Sequence, residues 1–98
     1  MVYKIVWTPN AEEDFDKILN YLSVRWSIEI AFDFIQIFYH KLDLLEIMPN
    51  LGVKSEKRKT TRRILITKHN YLIYSVLGDE ITLLNIFDNR QNPNNLKF

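Results

Sequence analysis

The stretch Trp7-Thr8-Pro9-Asn10-Ala11-Glu12-Glu13-Asp14-Phe15 decides how this chain folds, because two kinds of local structure meet inside it. Before it, Val2 to Trp7 alternates and is rich in β-branched and aromatic residues, the pattern of a strand. Within it, Thr8 is placed to cap the free backbone N–H groups of a helix. Pro9 suits the first helical position, where its missing N–H would be unpaired anyway. Glu12, Glu13 and Asp14 then fall in the first turns, where the helix dipole favours negative charge. Beyond it, Phe15, Ile18, Leu19 and Leu22 keep the i, i+3, i+4, i+7 spacing, so the helix is predicted to run to about Val24.

Working outward, Arg25-Trp26-Ser27 is a short link, and Ser27 is the natural cap of a second helix. Ala31, Phe34, Ile35, Phe38, Leu42 and Leu45 repeat at helical spacing, and Ile30, Ile37, Leu44 and Ile47 widen the apolar face. Pro49-Asn50-Leu51-Gly52 ends that helix. So short a link forces the two helices to pack as an antiparallel hairpin over residues 9–48. The rest reads as β structure: Arg63 to Thr67, Tyr71 to Leu77 and Glu80 to Asp88. Gly78-Asp79 is a tight turn, Lys68-His69-Asn70 a looser one, and the tail from Asn89 to Phe98 is expected to be irregular. In the last strand, alternation puts Ile81, Leu83 and Phe87 on one side. Thr82, Leu84, Ile86 and Asp88 fall on the other. The fold class is therefore α+β, in the order β-α-α-β-β-β, with the helical hairpin packed on a mostly antiparallel sheet. Phe15, Leu19, Leu22, Phe34, Phe38, Ile73 and Leu83 are the expected core, and residues 1–98 the expected single domain.

Composition narrows the function classes. The 98 residues include no cysteine, which excludes a disulfide framework and a thiolate metal site. Two histidines, His40 and His69, are too few to build a metal site by themselves. No apolar run approaches the roughly 20 residues needed to span a bilayer, and no signal peptide opens the chain, so a soluble cytoplasmic protein is expected. The net charge of +1 hides an uneven distribution. Residues 1–53 hold four basic and eight acidic residues, a net of −4. Residues 54–98 hold nine basic and four acidic ones, a net of +5. That division points to an anionic partner for the second half.

No phosphate loop, nucleophile elbow or metal-ligand spacing is present, and no catalytic residue can be assigned. Both glycines, Gly52 and Gly78, read as turn residues. Helix-dipole complementation accounts for Glu12, Glu13, Asp14 and Asp16 better than metal binding does. His40 reads as a surface residue of the second helix. The informative cluster runs from Lys54 to Arg63. Lys57, Lys59, Arg62 and Arg63, with His69, Tyr71 and Arg90, are the candidate target-binding residues. Arg62 and Arg63 are expected on opposite faces of one strand. Basic side chains beside tyrosines suit a phosphate backbone or an acidic protein surface.

The element order, with Trp7 to Phe15, Ile18 and Tyr21, Ala31, Leu45, Pro49 and Gly52, Arg62-Arg63, Tyr71 to Val76, and Ile81 to Arg90, resembles the RelE/ParE superfamily of bacterial type II toxins. The resemblance implies a toxin of a plasmid-stabilisation module, neutralised by a cognate antitoxin, with no cofactor. RelE-like members cleave messenger RNA on the ribosome without a metal; ParE-like members poison DNA gyrase. In the nuclease branch an arginine commonly stands where this chain has Tyr71, and a catalytic tyrosine or histidine lies near the C-terminus. Nothing after Arg90 is Tyr or His. A metal-free RNase must activate a ribose 2′-OH and protonate the leaving oxygen, and His69 would have to serve. The ParE-like branch is therefore preferred. An mRNA interferase and a degenerate member that only binds antitoxin are the alternatives.

Overall fold

The computed structural model describes residues 2–89. The chain runs β1 (Lys4–Trp7), α1 (Pro9–Arg25), α2 (Ile28–Ile47), a 3₁₀ turn (Pro49–Leu51), β2 (Val53–Lys54), β3 (Thr61–Thr67), β4 (Asn70–Leu77) and β5 (Glu80–Asp88). The strands form one sheet in the order β1-β5-β4-β3-β2. β1 runs parallel to β5, and every other pairing is antiparallel. Both helices lie on one face of it as a hairpin.

The capping residues act as their chemistry requires. Thr8 Oγ1 accepts from Ala11 N at 3.1 Å and donates to Leu83 O at 2.7 Å. One hydroxyl thus starts α1 and ties it to the interior strand β5. Ser27 Oγ accepts from Ile30 N at 3.1 Å and starts α2. At the other end of the sheet Gly78 adopts φ 59°, the left-handed conformation that lets the β4–β5 hairpin turn tightly. The core lies between hairpin and sheet. Ile18, Leu22, Phe34, Phe38, Leu42 and Leu45 from the helices meet Ile64, Ile66, Leu72, Tyr74, Ile81, Leu83 and Ile86 from the strands.

Several expectations are corrected. Phe15 and Leu19 are half-buried and pack against the core rather than inside it. Ile73 is buried, but it alternates with Leu72 and Tyr74 and so lies on the face away from the helices. β2 was not expected, since two residues carry no period to read. β3 also begins two residues earlier than Arg63, because its first residues pair with Ser75 and Tyr74.

The largest correction concerns β5. Ile73 pairs with Asn85 while Tyr74 pairs with Leu83, so Leu84 is an extra residue in the ladder. This β-bulge shifts the phase of everything after it. Ile86 and Asp88 therefore turn inward, and Phe87 turns to the opposite face from Ile81 and Leu83. Asp14 braces the bulge: its Oδ2 accepts from Ile86 N at 2.9 Å and from Asn85 Nδ2 at 3.4 Å. The acidic group on α1 is thus divided in role. Glu12 complements the dipole in the first turn, Glu13 pairs with Lys17 at 3.0 Å, and Asp14 satisfies a strand N–H.

Candidate partner-binding surface

Strand alternation separates the two neighbouring arginines. Arg62 turns toward the helical side, where its Nη1 donates to Gly52 O at 2.8 Å and to Asn50 O at 3.3 Å. It braces the segment that follows α2. Arg63 turns to the other face, and its guanidinium carbon stands 5.7 Å from the centroid of the Tyr71 ring, within cation–π range. Tyr71 in turn meets Phe87, with ring centroids 5.5 Å apart. Burial pushes the Tyr71 phenol above its ordinary pKa, and the Arg63 charge opposes that rise. Tyr71 is itself buried at 5% exposure, so it is the ring on which the exposed Arg63 rests rather than a surface open to a partner. A cavity of about 630 Å³ opens beside this group, lined by Leu51, Val53, Arg63, Leu65, Tyr71 and Asn89.

The remaining basic residues occupy a separate loop. Ser55 is buried, and its Oγ accepts from Lys57 N at 3.1 Å and Arg58 N at 3.2 Å. Ser55 N donates to Thr61 O at 2.9 Å, and Thr61 N to Arg58 O at 3.1 Å. The loop is pinned at its base and presents Lys57, Arg58 and Lys59 to solvent. His69 sits at the far end of β3, in the turn to β4. Its N–H donates to Thr67 Oγ1 at 3.1 Å and its carbonyl accepts from Asn89 N at 2.8 Å. Of the sequence candidates, Arg63 and Tyr71 thus come together. Lys57 and Lys59 flank one end of the strand pair, and His69 lies at the other. Arg90 lies outside the described residues.

Sequence reasoning missed Val53, Leu65 and Phe87. Val53 and Leu65 are exposed apolar residues; strand alternation beside Arg63 was the only signal for Leu65, and Val53, in a two-residue strand, had none. Phe87 was assigned to the wrong face because nothing in the composition marks the bulge. Among the described residues, no group of three His, Cys, Asp or Glu is placed to hold a metal ion, and no helix is long and apolar enough to cross a membrane. The arrangement offers charge and apolar surface.

The bonds of Arg62 carry a prediction. Arg62→Ala removes a charged donor from two carbonyls, and such bonds contribute about 1.5–3 kcal/mol. Half-exposure and solvent screening bring this to about 1 kcal/mol, or roughly 4–8 °C in melting temperature. Lys57→Ala and Lys59→Ala should stay within about 0.5 kcal/mol of wild type. Thermal unfolding of the three variants checks the order, and an Arg62→Ala curve that overlays wild type refutes the bracing role.

Comparison with known proteins places the fold. The solved structure of the chromosomal ParDE toxin–antitoxin system from P. aeruginosa superposes with a TM-score of 0.74 at 24% identity, covering 89% of this chain and 96% of that one. The YoeB dimer from Staphylococcus aureus gives a TM-score of 0.63 at 16% identity, with 89% and 97% covered. The RelBE2 toxin–antitoxin complex from Mycobacterium tuberculosis gives 0.57 at 13% identity, with 90% and 99% covered. At these identities the likeness establishes the shared fold. No curated protein sequence matches. The family of ParE toxins of the type II toxin–antitoxin system parDE matches over residues 5–93, nearly the whole chain. On that match, the chain belongs to the ParE toxin family.

Proposed function

We propose that this chain, as a single toxin domain, poisons DNA gyrase by binding it, and that a cognate antitoxin holds it inactive in the cytoplasm. The observation that carries the reading is the ParE family match over residues 5–93. The surface chemistry supports binding over cleavage. Arg63, exposed and steadied over the buried Tyr71 ring, supplies a held cation suited to gripping an anionic partner. A cleavage reaction needs a proton acceptor and a proton donor at the reacting atoms. Burial raises the Tyr71 pKa, which disfavours its phenol as the proton acceptor.

Expression of the chain without its antitoxin is the test. Growth arrest with filamentation, DNA-damage signalling and intact bulk mRNA is the expected result, and co-expression of the antitoxin should restore growth. In a purified system, gyrase supercoiling should fall on adding the toxin. Rapid mRNA loss with cuts inside ribosome-bound codons would instead establish an mRNA interferase, for which the Arg63–Tyr71 group and its cavity are the place to hold a phosphate and a base. Unimpaired growth would make the chain a degenerate member that only binds antitoxin.

A further inference from the structure

An aromatic cage with an acidic rim lies where β1, α1 and α2 meet. The rings of Trp7, Phe15 and Tyr39 pack against one another. Trp7 and Phe15 stand edge to face at 5.4 Å, Phe15 and Tyr39 edge to face at 6.3 Å, and Trp7 and Tyr39 at 6.4 Å. Together with Glu12 and Asp16 they line a cavity of about 300 Å³. Tyr39 is 47% exposed, so the cage is open to solvent on the α2 side.

The two carboxylates stand four residues apart on one face of α1, a like-charge spacing that weakens a helix. One residue along, Glu13 has Lys17 at 3.0 Å to relieve it. Among the described residues, Glu12 and Asp16 have no such cation. A solvated acidic face would explain the carboxylates alone. The three rings pack around Phe38 on their inner side and line the cavity beside the carboxylates on their outer side. Aromatic faces beside carboxylates are what an ammonium or guanidinium group needs. The ring quadrupoles attract the cation within about 6 Å, and the carboxylates supply the opposite charge.

We propose that this cage receives an arginine or lysine side chain of the antitoxin, an inference that rests on the reading that an antitoxin neutralises this chain. A polypeptide fits because the cage ends a longer row. Ile28, Phe32, Ile35 and Tyr39 repeat at helical spacing along one flank of α2, with Ile28 75% and Phe32 57% exposed. Such a row takes the apolar side chains of a docked segment while the cage takes its cation. The first half of the chain carries a net charge of −4, which draws that cation to the hairpin rather than to the basic sheet face.

The test uses the full chain and the antitoxin of its own module. The double variant Glu12→Gln/Asp16→Asn should raise Kd about 10–100-fold and flatten the dependence of Kd on salt, as loss of a partly desolvated charge pair does. Tyr39→Leu should raise Kd about tenfold, whereas Tyr39→Phe, which keeps the ring, should bind like wild type. All three should melt within a few degrees of wild type. In double-mutant cycles against each antitoxin arginine and lysine changed to Ala, one position should couple to Glu12 and Asp16 and the rest should be additive. Wild-type affinity in both the carboxamide and Tyr39→Leu variants overturns the cage, as does a loss of affinity that follows a loss of melting temperature. If wild type binds no antitoxin, the neutralisation reading fails, and the proposal with it.

Discussion

Phe38→Ala should lose about 3–5 kcal/mol of stability, the range for truncating a fully buried phenylalanine. Phe38 has no exposure, and its ring is enclosed by aromatic neighbours. The centroids of Phe15, Trp7, Phe34 and Tyr39 stand 4.9, 5.6, 5.9 and 6.1 Å away. Those rings come from β1, α1 and α2, so a cavity at Phe38 cannot be closed by moving one element alone. Small domains hold only about 5–15 kcal/mol in total, and each kcal/mol moves the melting temperature of a chain this size by about 4–8 °C. The melting temperature should therefore fall by at least about 12 °C, and antitoxin binding and toxicity should fall with it. Phe38→Leu, which keeps most of the volume, should lose distinctly less. Calorimetry of both variants checks the ranking, and a Phe38→Ala protein that melts near wild type would show that the aromatic cluster is not the keystone of the hairpin.

The hairpin was legible because each of its signals is local. Thr8 and Ser27 are caps whose N–H partners lie three residues away, and Pro9 at the first helical position needs no partner. The apolar spacing of α2 repeats for five turns, too often to be accidental. The order of the sheet was harder to read, since the parallel pairing of β1 with β5 joins residues more than seventy positions apart. The bulge at Leu84 could not be read at all. It is fixed by Asp14 reaching across from α1, and nothing in the run Thr82 to Asp88 records that the ladder takes one residue too many.

The candidate surface was legible in the same partial way. That Arg62 and Arg63 separate follows from strand period alone. That Arg62 spends its guanidinium on two main-chain carbonyls needs the path of the chain after α2. The charge asymmetry directed attention to the basic half. The cage on the acidic half went unread, because its rings lie in three different elements and each ring by itself reads as core.

Gly52→Ala should lose about 2–4 kcal/mol although the backbone there suits any residue. Gly52 was expected to serve a turn, but its φ is −77° and imposes no such need. Its constraint is contact. A Cβ at Gly52 would stand 2.7 Å from Tyr74 Oη, 2.8 Å from Arg63 O and 3.0 Å from Tyr74 Cε1. None of these can yield cheaply. Tyr74 is fully buried, and its hydroxyl donates to Pro49 O at 2.7 Å while accepting from Gly52 N at 2.9 Å. Arg63 O belongs to a strand. Overpacking costs about 1–3 kcal/mol, and a displaced Tyr74 hydroxyl leaves buried groups unpaired for about 1–3 kcal/mol more. Stiffening the unfolded chain offsets only about 0.4–1 kcal/mol. Tyr74→Phe alone should cost about 1–3 kcal/mol through the same lost bonds. The double variant should lose less than the two singles added, because removing Oη also removes the nearest clash, while Arg63 O still opposes the methyl group. The pH profile gives a second reading of Tyr74. Burial raises its phenol above the ordinary 10.0, with the Gly52 N–H and the Arg62 charge pulling the other way. The unfolded phenol therefore ionises first, so this stability is complete below pH 10.0 and is lost as pH rises through the folded value. Tyr71 is shifted in the same direction, so Tyr74→Phe should lessen the alkaline decline without removing it. Urea unfolding at neutral and alkaline pH checks both statements; strict additivity of Gly52→Ala and Tyr74→Phe would mean that the hydroxyl is not what excludes a side chain at Gly52.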